Sequence, residues 1–236
     1  MKNKIKCSVW VVAVFSLQMG LWADPSFVTS TFDAGSEGWQ PWATSGVNGL
    51  SPGDPHLNIA ADGVGVYGKM ITFNKTPEWT GDYYSAGVTG IQLDISNTSS
   101  SDTVFLRVAV GNRASPQQSG GTWFISQSAV VVPTLSGWTN VFLPLTESDL
   151  TIVGNLPGEI GTDSYETTFG NILNIRILSA AIPLGAIGDE FVGDVGIDNV
   201  ALIPEPAALS MIGLGAAVLA LHRKRSGKLW HLQRHN

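Results

Sequence analysis

The strongest constraint on this 236-residue chain is a segment near its C-terminus. Pro204-Glu205-Pro206 is followed by an uncharged run from Ala207 to Leu221 and then by Arg223-Lys224-Arg225. Two of the three triplet residues lack an amide donor and have a fixed φ, so we expect the triplet to continue neither a strand nor a helix and to act as a hinge. The apolar run has the composition of a membrane helix, and the cationic cluster favours the cytoplasmic side of a membrane. The body of the protein is therefore expected outside the cytoplasm.

The apolar run is shorter than an ordinary transmembrane helix. Its fifteen residues reach about 22 Å as a helix, which is less than the ~30 Å hydrocarbon core of a bilayer. Snorkelling by the residues from Arg223 to Arg225 and local thinning of the bilayer would allow it to span. This suits a temporary hold better than a permanent anchor. An ordinary tail anchor and a buried core helix are the alternatives.

The order of triplet, apolar helix and basic cluster resembles the PEP-CTERM sorting signal of Gram-negative bacteria. The resemblance covers Ile203 to Arg225 and implies a signal made of Pro204, Glu205, Pro206, Arg223, Lys224 and Arg225. In that family the tail holds an exported protein in the inner membrane until an exosortase cuts near the triplet. The protein then passes to the cell surface or an exopolysaccharide matrix. Residues 226–236 depart from the family pattern and are expected to form a cytoplasmic tail.

The N-terminus predicts export independently. Lys2, Lys4 and Lys6 precede an apolar run from about Val9 to Trp22, and a cut after Ala23 would complete a secretory signal peptide over residues 1–23. Cys7 lies before the apolar run and is the one cysteine of the chain. The mature protein is therefore expected to have no disulfides, no thiol catalysis and no Cys-ligated metal.

The remaining body, residues 24–203, is long enough to bury one core of its own. It contains five lysines and arginines against eighteen carboxylates, which gives a net charge of −13. This charge argues against nucleic acid and anionic lipid as partners. It is compatible with neutral polysaccharide, with divalent cations, or with solubility outside the cell.

Short alternating or apolar runs separated by Gly, Ser, Asn and Pro predict an all-β body, either a sandwich or a barrel. The predicted strands are Phe27 to Phe32, His56 to Ala60, Val64 to Phe73, Gly90 to Ser96, Thr103 to Val110, Trp123 to Val132, Trp138 to Leu145, Ile172 to Leu178 and Gly196 to Leu202. The stretches from Ala34 to Pro55 and from Leu145 to Phe169 are expected to be polar loops.

Two stretches sharpen the fold prediction. Thr31-Phe32-Asp33 with Gly38-Trp39, and the segment from Val195 to Leu202, resemble the first and last strands of galactose-binding-like jelly rolls. This is the fold of many carbohydrate-binding modules. The resemblance implies a jelly-roll β-sandwich with Trp39 and Trp138 packed in its core. It indicates fold better than function.

In many such modules the first and last strands lie side by side and hold a structural calcium ion. Carried over to this chain, the resemblance implies Asp33 and Asp198 as carboxylate ligands, completed by backbone carbonyls and Glu37. Calcium takes six to eight oxygens at about 2.3–2.6 Å. The alternative is that Asp33 is a turn residue and that Asp198-Asn199 caps a bulge. A bound ion is expected to stabilise the fold and to take no part in chemistry.

Aromatic side chains are the candidate ligand contacts, because sugar recognition stacks a pyranose on an indole or phenol ring. The rings that fall in or near predicted loops are Trp42, Trp79, Tyr83, Tyr84 and Trp123. Three of them lie within six residues, which favours a binding platform. The alternative is that this loop folds over the sandwich edge and covers unpaired backbone.

Catalysis has little support in the sequence. His56 is the one histidine between residues 24 and 203, and Gly53-Asp54-Pro55 before it is most simply a turn. The carboxylates Asp189, Glu190 and Asp194 are typical of a solvated acidic surface, although a glycosidase also uses paired carboxylates. We therefore expect an exported, non-catalytic protein with polysaccharide as its candidate ligand. A structural or adhesion protein and a carbohydrate-active hydrolase are the alternatives.

Overall fold

A computed structural model describes residues 28–41, 49–51, 53–65, 68–113 and 119–205 of the chain. Within these ranges it contains thirteen strands, one 3-10 turn at Glu147–Asp149 and one short helix, α1 (Tyr165–Phe169). The strands are β1 (Thr29–Ser30), β2 (Gln40–Pro41), β3 (Gly49–Ser51), β4 (Asp54–Asp62), β5 (Ile71–Asn74), β6 (Val88–Asn97), β7 (Val104–Gly111), β8 (Trp123–Ser126), β9 (Val130–Val132), β10 (Ser136–Pro144), β11 (Leu150–Val153), β12 (Asn174–Ser179) and β13 (Val192–Pro204).

The strands form two antiparallel sheets. The six-stranded sheet has the order β10-β6-β13-β4-β3, with β1 also paired to β13. The seven-stranded sheet has the order β11-β8-β7-β12-β5-β2, with β9 also paired to β7. Consecutive strands change sheet several times, as in a jelly roll. The all-β sandwich predicted from the sequence is confirmed.

The main core fills the space between the two sheets. In β6 the inward positions are Ile91, Leu93 and Ile95, and in the facing β7 they include Val108 and Val110, all fully buried. This spacing of two residues is the strand period, which places every second side chain on the same face. Burial of such side chains stabilises the sandwich by about 25 cal/mol for each Å² of apolar surface removed from water.

A second apolar cluster lies on the outer face of the seven-stranded sheet, and we call this face the covered face. Trp123, Ile125 and Leu178 point outward from their strands and are still buried. The segments that pack on them belong to residues 153–156 and 180–187. The central strands of the seven-stranded sheet are therefore buried on both faces, whereas Val131 of β9 and Ile152 of β11 are exposed.

Two buried arginines attach these covering segments to the sheet. Arg107 donates hydrogen bonds to the carbonyl oxygens of Ser126, Gln127, Ala180 and Ala181, at 2.6 to 2.9 Å. Arg176 donates to the side-chain oxygen of Asn155 at 2.8 Å and to the carbonyl oxygen of Ala186, and its guanidinium lies 3.7 Å from the centroid of Trp123. Burial lowers the pKa of Arg176 to about 9, so the side chain remains charged at neutral pH.

The structure corrects several strand boundaries. The strand predicted from Val64 to Phe73 begins only at Ile71, because Gly63 and Gly65 adopt positive φ values of 73° and 64° in a turn. The strand predicted from Trp123 to Val132 is divided into β8 and β9. The polar stretch from Leu145 to Phe169 contains β11 and α1, and the stretch from Ala34 to Pro55 contains β2, β3 and the start of β4.

The two ends of the described body meet in the six-stranded sheet. The first and last strands, β1 and β13, pair at Thr29↔Ala201 and Ser30↔Val200, as the jelly-roll resemblance implies. The expectation that the proline triplet cannot continue a strand is wrong for its first residue, since Pro204 ends β13 and pairs with Val88. Pro204 lies beyond the residues that pair with β1 and β4, so only β6 borders it there and its missing amide is tolerated.

The predicted membrane-associated segments lie outside the described residues. These are the signal peptide (residues 1–23), the apolar run from Ala207 to Leu221, the basic cluster and the tail that follows it. Within the described ranges, no helix has the length and hydropathy needed to cross a membrane.

From the packing on the covered face we predict that alanine substitution at two glycines changes the free energy of unfolding by different amounts. A Cβ at Gly111 in β7 would collide with the indole of Trp123, whereas a Cβ at Gly137 in β10 meets no atom within 4 Å. We expect Gly111→Ala to lower the free energy of unfolding by about 1–3 kcal/mol, and Gly137→Ala to change it by about 0.5 kcal/mol or less. Urea unfolding followed by tryptophan fluorescence measures both, and equal effects would contradict the packing described.

Candidate functional site

The structure places the five predicted ligand rings in different environments. Trp79, Tyr83 and Trp123 are 2%, 0% and 0% exposed, so they offer no ring face to a sugar. This corrects the prediction for these three residues, because their apolar surface is used in the core. Tyr84 is 52% exposed and remains a predicted contact. Trp42 lies outside the described residues.

The loop that carries three of these rings closes one end of the sandwich. The amides of Tyr83 and Tyr84 donate to the carbonyl oxygen of Phe169, and Gly81 exchanges two hydrogen bonds with Ile172. The hydroxyl of Tyr83 donates to the carbonyl oxygen of Trp79 at 2.6 Å, and burial raises the pKa of Tyr83. The loop therefore folds back onto the sandwich, and its hydrogen bonds go to backbone groups of α1 and of the segment between α1 and β12.

Exposed aromatic side chains occur elsewhere, on the outer face of the six-stranded sheet. Trp138 is 45% exposed and Phe142 is 48% exposed, and both belong to the edge strand β10. The assignment of Trp138 to the core is wrong, because Val141 and Leu143 of the same strand point inward and the strand period then turns Trp138 and Phe142 outward. Trp39, in contrast, is buried as expected. The alternation of inward and outward side chains along the strand, counted back from Val141, could have identified Trp138 as an outward residue.

Glycines on the neighbouring strands make room for the two exposed rings. A Cβ at Gly196 in β13 would lie 2.8 Å from Cη2 of Trp138, and a Cβ at Gly90 in β6 would collide with the ring of Phe142. Both rings thus lie across the backbone of the sheet. His56 of β4 meets Trp138 edge to face, with the ring centroids 5.0 Å apart and the planes at 82°. These contacts fix the position of Trp138.

A network of polar side chains lies beside the rings. The amide of Asn140 donates to one carboxylate oxygen of Asp94 at 2.7 Å and accepts from Gln92 at 2.9 Å. The amide of Asn199 donates to the other oxygen of Asp94 at 2.9 Å and to Asp198 at 3.2 Å. The rings and these polar groups (Gln92, Asp94, Trp138, Asn140, Phe142, Asp198 and Asn199) together form what we call the open face.

Asp94 and Asp198 lie directly opposite each other on β6 and β13. Like charges at such positions repel each other, and the amide of Asn199 lies where it can donate to both. Asn199 reaches this position because β13 has a bulge between Asp198 and Ala201, in which Asn199 adopts a φ of 50°. Asparagine tolerates this left-handed conformation better than most residues. The bulge at Asp198-Asn199 was one of the two roles expected from the sequence.

The calcium prediction is not decided by this geometry. Asp33 is exposed and accepts a hydrogen bond from the hydroxyl of Thr31, while Asp198 accepts from the backbone amide of Asn199 at 2.7 Å. Across the described ranges, no group of three or more His, Cys, Asp or Glu side chains is placed to hold a metal ion. Calcium binding by Asp33 and Asp198 with backbone carbonyls stays a prediction. Thermal unfolding with and without a chelator tests it.

Several loop carboxylates bind backbone amides or polar side chains of the protein. Asp189 accepts from the amide of Ala181 at 2.7 Å, and Glu159 accepts from the amides of Gly120 and Leu156. The hydrogen bonds from these backbone amides lower the pKa of Glu159. Asp163 accepts from the side chains of Asn112 and Thr122. These acidic residues therefore fix loop conformations, a role that needs no catalytic explanation.

Comparisons with known proteins match two parts of the chain. The PEP-CTERM protein-sorting motif matches residues 202–225. A comparison of the sequence with curated proteins finds no match. Among solved structures, the described body resembles a family 11 carbohydrate-binding module of the cellulosomal cellulase Lic26A-Cel5E of Clostridium thermocellum, with 15% identity, coverage of 76% of this chain and 95% of that one, and a TM-score of 0.46.

A second structure of a family 11 module from Clostridium thermocellum contains a β-1,3-1,4-mixed-linked tetrasaccharide. It has 15% identity, covers 76% of this chain and 89% of its own length, and has a TM-score of 0.38. The similarity to carbohydrate-binding jelly rolls that the sequence implies is thus found again among solved structures.

The different exposures of two tryptophans predict different effects on stability. Trp79→Ala removes a ring that is 2% exposed and packs against Trp39, so we expect a loss of about 3–5 kcal/mol in the free energy of unfolding. Trp138→Ala removes a ring that is 45% exposed, so we expect a loss of about 1 kcal/mol or less. Chemical denaturation of the two variants measures the difference. A loss for Trp138→Ala as large as that for Trp79→Ala would place Trp138 in the core.

Proposed function

We propose that this protein is exported by a Gram-negative bacterium, sorted by an exosortase and displayed at the cell surface or in the extracellular matrix. Its body is proposed to be non-catalytic and to bind a neutral polysaccharide on the open face. Two independent parts of the chain support the proposal. One is the sorting motif, and the other is the arrangement of side chains on the six-stranded sheet.

The sorting motif supports export and transfer to the surface. The PEP-CTERM motif at residues 202–225 implies export, membrane-anchored sorting and processing by an exosortase. The sequence agrees, because a predicted secretory signal peptide precedes the body. Temporary attachment through the apolar run, with the basic cluster in the cytoplasm, is the proposed route.

The observation that carries the binding proposal is the pair of exposed rings on a polar sheet face. Trp138 and Phe142 are four residues apart on β10, so about 14 Å separates their Cα atoms along the strand. The side chain of Asn140 lies between them on the same face. An extended sugar chain lying along β10 could stack on both rings, while amides and carboxylates receive its hydroxyl groups.

The charges of the open face restrict the proposed ligand. The carboxylates of the open face are Asp94 and Asp198. The body as a whole, residues 24–203, contains five lysines and arginines and eighteen carboxylates. An acidic polysaccharide would be repelled by this charge. A neutral polysaccharide meets no such penalty, and carboxylates and amides are good acceptors and donors for its hydroxyl groups.

A binding assay with single-residue variants tests the proposal. The full-length protein, purified in detergent, is titrated with a panel of soluble neutral glucans, mannans and galactans. With the glycan that binds, we expect Trp138→Ala to reduce affinity at least tenfold, a loss of about 1.4 kcal/mol. Val131→Ala, which removes an exposed side chain from β9 of the other sheet, is expected to leave affinity within twofold.

Two outcomes would contradict the assignment of the site or the function. A larger loss for Tyr84→Ala than for Trp138→Ala would move the site to the loop at residues 79–84. Absence of binding to every neutral polysaccharide, with folded protein confirmed by circular dichroism, would favour the structural or adhesion role.

A further inference from the structure

The sorting motif and the last strand of the body share residues. The motif begins at residue 202, whereas β13 continues to Pro204. Leu202, Ile203 and Pro204 therefore belong to both. The sequence predicts that the triplet is a hinge. Its first two residues, Pro204 and Glu205, are instead held against the sandwich.

Four successive residues make the strand-end contacts, by which we mean the contacts of residues 202–205 with the body. The side chain of Leu202 is buried in the core, and its amide donates to the carbonyl oxygen of Val28 at 3.0 Å. The carbonyl oxygen of Ile203 accepts from the hydroxyl of Thr89 at 3.1 Å. Pro204 is buried, and the amide of Glu205 donates to the carbonyl oxygen of Gly87 at 2.7 Å.

A processing enzyme that binds the triplet must reach these same backbone groups. A peptide held by an enzyme presents its backbone amides and carbonyls to the enzyme, and each group can make its main hydrogen bond with only one partner at a time. Folded segments become accessible to such enzymes mainly through local opening of the structure. The sheet and the enzyme therefore compete for residues 203–205.

We infer that the end of β13 withholds the sorting triplet from its processing enzyme, and that processing requires residues 203–205 to leave the sheet. This inference rests on the proposed sorting function. Processing by hydrolysis adds water to the carbonyl carbon of one peptide bond, and the nitrogen leaves as an amine. The strand-end contacts thus control how much of the protein can be processed at any moment, without taking part in the bond cleavage.

A pair of matched threonine variants separates a local effect from a general loss of stability. Thr89→Val removes the hydroxyl that binds the carbonyl oxygen of Ile203. Thr98→Val removes a hydroxyl that binds the carbonyl oxygen of Asp194 at 3.0 Å, near the opposite end of the same strand. The two substitutions change the same atoms and the same type of hydrogen bond, but only the first lies beside the triplet.

Amide hydrogen exchange of the full-length protein in detergent measures the opening directly. We expect the Glu205 amide to be protected in the unmodified protein. Thr89→Val should accelerate its exchange about fivefold, the factor for one hydrogen bond worth about 1 kcal/mol, and Thr98→Val should leave it within twofold. An unprotected Glu205 amide, or equal acceleration in both variants, would overturn the inference.

Processing in the bacterium that encodes the protein provides the second readout. We expect the Thr89→Val protein to lose its C-terminal segment faster than the Thr98→Val and unmodified proteins, as followed by the mass of pulse-labelled chains. Equal rates in all three proteins would contradict the inference alone. Full-length chains that are never shortened in any of the three would contradict the proposed sorting function, whatever the exchange data show.

Discussion

The architecture depends on the burial of the outer face of the seven-stranded sheet. Arg176 stands at the centre of this face, stacked on Trp123 and bound to Asn155 and Ala186 of the covering segments. Removing a guanidinium from water costs several kcal/mol unless its donors and its charge find partners. Here the carbonyl oxygen of Ala186, the amide oxygen of Asn155 and the π face of Trp123 contact the guanidinium. The covering segments are therefore tied to the sheet.

This burial assigns different roles to the two sheets. The central strands of the seven-stranded sheet are packed on both faces and form the interior layer of the body. The six-stranded sheet keeps its outer face in contact with water, and that face carries Trp138 and Phe142 among hydrogen-bonded amides and carboxylates. Because Gly90 and Gly196 let the rings lie across the strands, the rings are positioned before any ligand arrives. Such preorganisation reduces the entropy that binding must overcome.

The sequence predicted the parts of the fold that follow from alternation. The all-β class, strands close to β6 and β7 and the pairing of the first strand with the last were expected, because side-chain period and the terminal motifs carry that information. The covered face was not expected, because long loops with Gly and charged residues are typical of a solvated surface. The hydrogen bonds by which Arg107 and Arg176 hold these loops are tertiary contacts, and the sequence does not reveal them. Pro204 can be the last residue of β13 because of which strands lie beside it there, and the sequence does not show this arrangement.

The candidate site was predicted only as a chemical type. The sequence indicates aromatic rings as candidate contacts, but position in a loop does not establish exposure. Trp79 and Tyr83 lie in a loop that folds into the end of the sandwich, whereas Trp138 lies in a strand whose outer face is bare. Exposure depends on what packs above a residue, which is a tertiary property. Alternation around Val141 indicates an exposed Trp138, whereas the jelly-roll resemblance implies a core position for it.

One sheet of the body is covered, while the other presents Trp138 and Phe142 to solvent. Hydroxyl-radical footprinting of the full-length protein, read by mass spectrometry, measures the solvent contact of each ring in one experiment. We expect rapid oxidation of Trp138 and Phe142 and slow oxidation of Trp123, which is 0% exposed. Oxidation of Trp123 at the rate of Trp138 would show that the outer face of the seven-stranded sheet is not covered.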